Sequence, residues 1–396
     1  MTSAMGFLAG GTYAGLKTPE EGVLDLGILF SERPAALAAT FTTNSVVSPS
    51  VTLSRSRAKS GKARAVVANS GCANCCVGEQ GLADATEMAA LTAGHLGVDA
   101  GQVMVCSTGV IGVELPMALI RQNIGNIELG AGGGGDFARA IMTTDTRSKE
   151  IAVSFQLGGS GGRRITVGGA AKGVGMIHPN MATMLCFVST DAPVQQAFLQ
   201  ESLVAAVNAS FNMIDVDGDQ STNDTVLLMA NGVAGGAEIA EGTADADDFR
   251  AALGHVCTEL AKELVRDAEG AQRLMEVVVR GAGSLNDARL AAREIAGSML
   301  VKAMLHGRDP NWGRMMMALG KSGAAIDESR IDMFINEIQI VHQGMAISFF
   351  KDAVVSAMGA PEVQLGIDLN LGDATARAWG CDLTEEYVIF NSAYTT

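Results

Sequence analysis

A hydroxyl-bearing turn follows one of the apolar runs of the sequence. Ser107, Thr108 and Gly109 come directly after the apolar residues 103–106. A strand that ends in such a turn exposes a hydroxyl group and free backbone N–H groups. These groups can donate two hydrogen bonds to the oxygen that becomes negative during acyl transfer. The same residues also fit an ordinary turn from a strand to a helix. Taken alone, they favour this ordinary turn over a catalytic one.

A second segment, residues 172–185, combines a lysine, two glycines and a threonine. Gly173 and Gly175 allow tight backbone geometry, and Pro179 disfavours a helical conformation of the residue before it. Thr183 opens an apolar run that predicts a strand. A threonine at the edge of a strand is normally structural, so the spacing alone does not reveal a nucleophile.

Two more polar segments could bind a small charged molecule. Glu269 lies next to Gly270 at the end of a helical pattern, where its carboxylate could receive an ammonium group. A solvated charge cluster is the alternative interpretation. Residues 391–396, at the end of the sequence, are polar, although chain ends are usually frayed.

Two segments partly resemble metal-binding motifs, but each lacks residues that the motif needs. Cysteines 72, 75 and 76 cluster, but no second cysteine pair follows at ligand spacing and the five histidines are scattered. Residues 215–226 begin like a calcium loop, but Gln220 stands where the sharp turn needs glycine and Val226 stands where a glutamate should bind. The sequence therefore predicts no metal site.

The elements that would position these residues alternate between strands and helices. Periodicity predicts strands at residues 64–69, 103–106, 151–157, 164–167, 183–189, 225–230, 274–279, 331–335, 338–342, 363–371, 375–379 and 387–391. It predicts helices at residues 84–96, 115–124, 194–210, 247–266 and 287–306, and a surface loop at the glycine run 132–135. The fold class is α+β, or mixed α/β, with more hairpins than crossovers toward the C-terminal end.

Composition limits the possible classes of function. A chain of 396 residues predicts two or three domains, and 48% hydrophobic residues can build a core. The 28 basic and 43 acidic residues give a net charge of −15, which argues against a nucleic-acid or anionic membrane surface as the main partner. No apolar stretch reaches membrane-spanning length, and the start lacks the features of a signal peptide. Together with an odd number of cysteines, seven, this favours the cytoplasm.

Together these segments resemble one family, the ornithine acetyltransferases, also called glutamate N-acetyltransferases, of arginine biosynthesis. The resemblance runs along nearly the whole chain, and residues 172–185 are its most specific part. The other matching segments are residues 6–7, 15–17, 41–44, 69–74, 107–109, 143–146, 308–314 and 391–396. The chain departs from the family pattern at Cys72, Asp215, Gln220 and residues 272–273. None of these touches the proposed nucleophile or oxyanion donors.

The resemblance implies that the chain cuts itself between Ala182 and Thr183. The hydroxyl of Thr183 would attack the preceding carbonyl, and water would open the resulting ester. Residues 1–182 would form an α chain, and Thr183 would begin a β chain. A threonine hydroxyl is a weak nucleophile without a base. The new α-amine, with an ordinary pKa of about 7.7–8.0, could accept its proton near neutral pH.

The resemblance also implies the reaction and its residues. Thr183 would take the acetyl group from N2-acetylornithine and pass it to glutamate by a ping-pong route, with acetyl-CoA left open as a second donor. Thr108 and Gly109 would form the oxyanion hole. Lys172 would pair with a substrate carboxylate and Glu269 with an ammonium group. The substrate-binding positions implied by the family are Thr144, Lys172, Thr183, Glu269, Asn391 and Thr396, with no metal or organic cofactor.

The implied architecture is a layered α/β sandwich of the self-cleaving type rather than a Rossmann fold. Residues 1–182 would form an N-terminal α/β domain, residues 183–280 would complete the central sandwich, and residues 281–396 would form a C-terminal domain. Two α and two β chains would assemble into a heterotetramer. Two alternatives remain: a hydrolase or aminopeptidase of the related self-cleaving fold, and a non-catalytic binding protein. The match at Lys172, Glu269 and the tail disfavours the hydrolase.

Overall fold

In the computed structural model, the chain folds into two β-sheets with helices packed against them. The structure describes residues 1–158, 162–178 and 184–393. Within these residues the first sheet has eight strands, in the order β4-β3-β2-β9-β7-β6-β5, with β1 beside β2. Its strands are β1 (Phe7–Thr12), β2 (Leu26–Phe41), β3 (Lys62–Cys72), β4 (Val103–Val110), β5 (Lys149–Gln156), β6 (Arg164–Lys172), β7 (Leu185–Thr190) and β9 (Thr225–Ala230).

The second sheet has seven strands in the described part of the chain, in the order β13-β12-β11-β14-β10-β15-β8. Most neighbouring strands are antiparallel, but β10 with β14 and β15 with β8 are parallel pairs. Its strands are β8 (Ile214–Asp215), β10 (Leu274–Ala282), β11 (Asp332–Ile335), β12 (Ile338–His342), β13 (Met345–Ala346), β14 (Glu362–Asp368) and β15 (Ala374–Cys381).

The helices cover the faces and ends of the two sheets. No helix in the described ranges is both long and apolar enough to cross a lipid bilayer. The helices are α1 (Pro49–Ala58), α2 (Gln80–Leu96), α3 (Met117–Asn123), α4 (Gly134–Ala140), α5 (Gln196–Ala209), α6 (Ala246–Arg266), α7 (Leu285–Gly297), α8 (Met299–His306), α9 (Trp312–Gly320), α10 (Lys351–Ala357) and α11 (Glu385–Ala393).

The first sheet is covered on both faces, and strand β7 shows why its strands are so apolar. Successive side chains of a strand point to opposite faces. Cys186 and Val188 pack in the cluster that contains α5 and α6, whereas Leu185 and Phe187 pack in a second cluster. There Phe187 meets Phe137 of α4 edge-on, with ring centroids 5.1 Å apart. Strands buried on both sides read as continuous apolar runs, as this one does.

Helix α6 joins the two sheets into one core. Its buried residues include Phe249, Leu253, Leu260 and Leu264, a spacing that places them along one face of a helix. The helix contacts β5 and β6 of the first sheet and β10 and β15 of the second. Apolar residues of both sheets therefore belong to a single buried cluster.

The first sheet curves strongly, and this curvature creates the site. Strands β4 and β6 are five positions apart, which in a flat sheet would separate them by about 24 Å. The ammonium nitrogen of Lys172, at the end of β6, nevertheless lies 3.2 Å from the hydroxyl oxygen of Thr108 in β4. Strand β2 pairs with β3 through its first part and with β9 through its second, and the β2–β3 register shifts between Phe30 and Ala35. Such an irregularity increases bend and twist.

The mixed α/β class predicted from periodicity is confirmed, including the β5–β6 hairpin. Three local predictions are wrong. The predicted helix 287–306 is two helices, because Ser298 is extended. Residues 387–391 belong to helix α11 instead of a strand, and α4 begins inside the glycine run 132–135. The long strand β2 was not predicted.

Candidate active site

One pocket collects the residues that the sequence singled out. It encloses about 120 Å³ and takes its walls from segments far apart in the chain. Its lining includes every predicted site residue that the structure describes: Thr108, Gly109, Thr144, Lys172, Glu269 and Asn391. The other three predicted residues, Ala182, Thr183 and Thr396, lie outside the described residues. The remaining lining residues are Lys17, Gly71, Val110, Thr143, Val174, Gly175 and Met176.

Thr108 and Gly109 belong to strand β4, which continues to Val110, so the turn predicted at residues 107–109 is wrong. The packing of this end of β4 against β3 depends on two facing glycines. Strands β3 and β4 run parallel, and their register pairs Gly71 with Gly109. Both residues have left-handed backbone conformations, with φ of +102° and +131°. A Cβ atom on Gly109 would overlap the backbone of Gly71, and one on Gly71 would lie 2.6 Å from the Cα of Lys17. Only glycine allows this close approach of backbones at the pocket wall.

Lys172 orients the hydroxyl of Thr108. Its side chain is fully buried, and its nitrogen donates to Thr108 Oγ1 at 3.2 Å. An ammonium group can only donate, so the Thr108 oxygen accepts this bond and its own hydrogen is free to point elsewhere. Burial lowers the pKa of Lys172, while the nearby Asp145 carboxylate opposes that shift. A hydroxyl donor held beside an ammonium group is suited to stabilising a developing negative charge.

Glu269 presents a carboxylate that neutral groups hold in place. Its Oε1 accepts from the Thr144 hydroxyl at 2.8 Å, and its Oε2 accepts from the Asn391 side-chain amide at 3.0 Å. A Cβ atom on Gly175 would lie only 2.6 Å from Glu269 Oε2, so the glycine makes room for the carboxylate. Among the described residues, no basic nitrogen lies within 4 Å of this carboxylate. Its charge is therefore available to a cationic group of a ligand.

A buried ionic network fixes the pocket segments relative to one another. Lys149 Nζ donates to Asp145 Oδ1 and to Asp267 Oδ2, both at 2.6 Å. Asp145 also accepts the N–H of Gly173 at 2.9 Å. Burial works against ionisation of Asp145, but Lys172 and Lys149 outweigh it, so the pKa of Asp145 is lowered. The network links the segments that carry Thr144, Lys172 and Glu269.

Two carboxyl groups, the partly buried Asp217 and the fully buried Asp224, anchor the described residues on both sides of the predicted cleavage bond. On the N-terminal side, Asp217 accepts the N–H groups of Met176 and Ile177 at 2.6 and 2.9 Å. On the C-terminal side, Asp224 accepts the N–H of Met184 at 3.0 Å. Burial raises the pKa of both carboxyl groups, that of Asp224 well above its usual range.

Sequence reasoning missed the role of several residues. Lys17, Gly71 and Thr143 belong to segments that carried the family resemblance, but nothing in their spacing showed that they line a pocket. No motif in the sequence indicated the buried ionic network, because Lys149 and Asp267 are 118 positions apart.

The fold and the pocket together define a layered α/β protein with a small pocket that is lined by both lysine and glutamate side chains. The ArgJ family pattern matches residues 8–396. The arginine biosynthesis bifunctional proteins of Symbiobacterium thermophilum and Dehalococcoides mccartyi are each 48% identical to the chain, covering 100% of it and 98% and 97% of their own lengths. A crystal structure of the corresponding protein from Bacillus halodurans is 41% identical, with a TM-score of 0.52, and covers 52% of this chain and 98% of that one.

The chain therefore belongs to the ArgJ family. This confirms the family that the sequence motifs indicated, and with it the prediction of an enzyme of arginine biosynthesis.

Proposed function

We propose that this chain transfers an acetyl group from N2-acetylornithine to the amino group of glutamate through an acetyl ester on Thr183. The observation that carries the proposal is the pocket itself. Thr108 and Gly109 face the same small space as Lys172 and Glu269. An acyl-transfer centre and binding groups for a charged amino acid are therefore next to each other.

In the first half-reaction, Thr183 Oγ1 attacks the acetyl carbonyl carbon, and the α-amine of Thr183 takes the hydroxyl proton. The oxyanion that forms accepts hydrogen bonds from the Thr108 hydroxyl and the Gly109 N–H. The C–N bond then breaks, and the α-ammonium of Thr183 returns the proton to the leaving nitrogen, which departs as ornithine. Glu269 holds the side-chain ammonium of ornithine by a charge-assisted contact. Thr144, Lys172, Asn391 and Thr396 complete the substrate site.

In the second half-reaction, the uncharged amino group of glutamate attacks the acetyl ester. The α-amine of Thr183 takes the proton that the attacking nitrogen loses and passes it to Oγ1 as the ester C–O bond breaks. N-acetylglutamate then leaves, and the hydroxyl of Thr183 is restored. Acetyl-CoA could acylate the same hydroxyl with loss of the thiol, and a comparison of the two donors with glutamate as acceptor would decide this.

The proposal includes self-cleavage between Ala182 and Thr183. In the uncut chain the nitrogen of Thr183 is a peptide amide, which cannot accept the hydroxyl proton, so the α-amine must first be released by cleavage. One comparison supports it: the solved relative from Bacillus halodurans is covered almost completely by about half of this chain. A heterotetramer of two α and two β chains, and the division into residues 1–182, 183–280 and 281–396, belong to the same proposal.

Intact mass and N-terminal sequencing of the purified protein test the cleavage, and a transfer assay tests the reaction. We expect two chains of roughly half the 40.8 kDa mass, the second beginning at Thr183. Thr183→Ala should remain one chain and transfer no acetyl group. Thr86→Ala, an exposed position of α2, serves as the control and should behave like the unsubstituted protein.

Two results would contradict the proposal. A full-length chain in an active preparation would remove the self-cleavage step. Release of free acetate at a rate that does not depend on glutamate would indicate a hydrolase instead.

A further inference from the structure

We propose that Lys17 binds the α-carboxylate that N2-acetylornithine, ornithine and glutamate have in common. No role at the pocket followed from the sequence for this residue. The inference rests on the proposed function, because that function supplies the substrates. It adds a residue that would determine specificity for α-amino acids in general.

The backbone around it fixes the ammonium group of Lys17 at the pocket wall. Its Nζ donates to the carbonyl oxygen of Met142 at 2.9 Å and, more weakly, to that of Leu24 at 3.4 Å. The first contact places it beside Thr143 and Thr144, which line the same pocket. An ammonium group has three N–H donors, so one donor remains for a ligand.

Lys17 has no counterion within the described part of the chain. No carboxylate oxygen of the described residues lies within 4 Å of its nitrogen, whereas Lys149 and Lys302 each lie within 3.0 Å of one. Its side chain is only partly buried, so a molecule in the pocket can reach it. The carboxylates of Asp25 and Asp145 act on Lys17 only from beyond contact distance. A fixed ammonium group at a pocket wall that contacts no carboxylate of the described residues is suited to the carboxylate of a ligand.

The second ammonium group of the pocket is engaged at the acyl centre. Lys172 is fully buried and donates to Thr108. Glu269 supplies the only described carboxylate that lines the pocket. The pocket therefore offers two ammonium groups and one carboxylate. A matching ligand has two groups that are or become negative, the α-carboxylate and the reacting acyl oxygen, and one positive group, the side-chain ammonium. In this arrangement Lys17 meets the α-carboxylate. Lys172, which the family resemblance implied as the partner of a substrate carboxylate, supports the oxyanion through Thr108 instead.

The experiment compares ligands with and without the α-carboxylate. Calorimetric titration measures binding of ornithine and of ornithinamide, whose carboxylate is replaced by a neutral amide, to the processed protein. The variants are Lys17→Met, which keeps the apolar stem, and Lys17→Arg, which keeps the charge. The control is Lys62→Met, an exposed lysine at the opposite end of β3 from Gly71.

We expect the unsubstituted protein and Lys62→Met to bind ornithine at least about tenfold more tightly than ornithinamide, as one charge-assisted hydrogen bond would give. Lys17→Met should lose most of this preference by weakening ornithine binding alone, and Lys17→Arg should keep part of it. An equal loss for both ligands, or no loss, would overturn the assignment. Because the titration involves no acyl transfer, a protein that binds ornithine but transfers no acetyl group would refute only the proposed function.

Discussion

The ammonium nitrogen of Lys172 lies 3.2 Å from the hydroxyl oxygen of Thr108, and the two residues come from strands that are five positions apart in the same sheet. The contact exists because the sheet curves around the pocket. It connects the group that would stabilise an oxyanion to a buried positive charge. The acyl-transfer chemistry that we propose for the site therefore depends on the curvature of this sheet.

We expect the Thr108 hydroxyl to contribute to the rate of acetyl transfer, because the contact with Lys172 orients it. Thr108→Val keeps the size of the side chain and removes the hydroxyl, so we expect the turnover number for acetyl transfer to fall about 10²–10³-fold, as for the loss of one oxyanion donor. Thr108→Ser keeps the hydroxyl and should retain most of the activity. The measurement is kcat on fully cleaved protein. Equal activity of the valine and serine variants would show that the hydroxyl does not take part.

Gly175 leaves space for the Glu269 carboxylate, and a methyl group there would displace it. The Cβ atom of Gly175→Ala would lie 2.6 Å from Glu269 Oε2, so we expect a higher KM for N2-acetylornithine with little change in the melting temperature. Gly254→Ala in helix α6 is the matched control, since a Cβ atom there meets nothing within 4 Å. An unchanged KM would show that Glu269 can move aside without cost to binding.

Local patterns in the sequence predicted the strands that bear the site, but not the long-range contacts that assemble it. The apolar run before Thr108 marks β4, and the alternation around residues 151–167 marks the β5–β6 hairpin. The apolar residues Val388 and Ile389 suggested a strand, yet they are exposed, at 62% and 65%, on helix α11. There the helix carries Asn391 to Glu269, a contact between residues 122 positions apart.

The curvature of the first sheet could not be predicted for a related reason. It depends on the register shift in β2, which pairs with two different strands along its length. No short motif encodes such a shift. The burial of Lys149 could not be predicted either. A lysine in an alternating strand normally predicts an exposed side chain, whereas Lys149 is fully buried.

The buried ionic network should be a major source of stability. Lys149→Met removes the cation between Asp145 and Asp267 and leaves two buried carboxylates without it, so we expect the free energy of unfolding to fall by about 3–5 kcal/mol. Denaturant unfolding measures the change. Lys321→Met breaks the exposed pair with Glu294 and should cost at most about 1 kcal/mol. Similar losses in both variants would mean that the buried network adds no more than a surface pair.

His178 should make stability depend on pH near neutrality. Its Nδ1 lies 2.8 Å from Asp215 Oδ2, and this hydrogen bond raises the pKa of the imidazole above its ordinary value. A raised pKa in the folded state means that the stabilisation is fully present below the unfolded pKa of about 6.5 and is lost as pH rises through the folded value. We therefore expect the Tm difference between the unsubstituted protein and His178→Asn to be larger at about pH 6 than at about pH 8.

The effect should be modest because the side chain of His178 is nearly half exposed. His255→Asn is the control, since no described carboxylate lies within 4 Å of His255. A difference for His178→Asn that is constant or grows with pH would contradict the assignment of the proton to the His178–Asp215 pair.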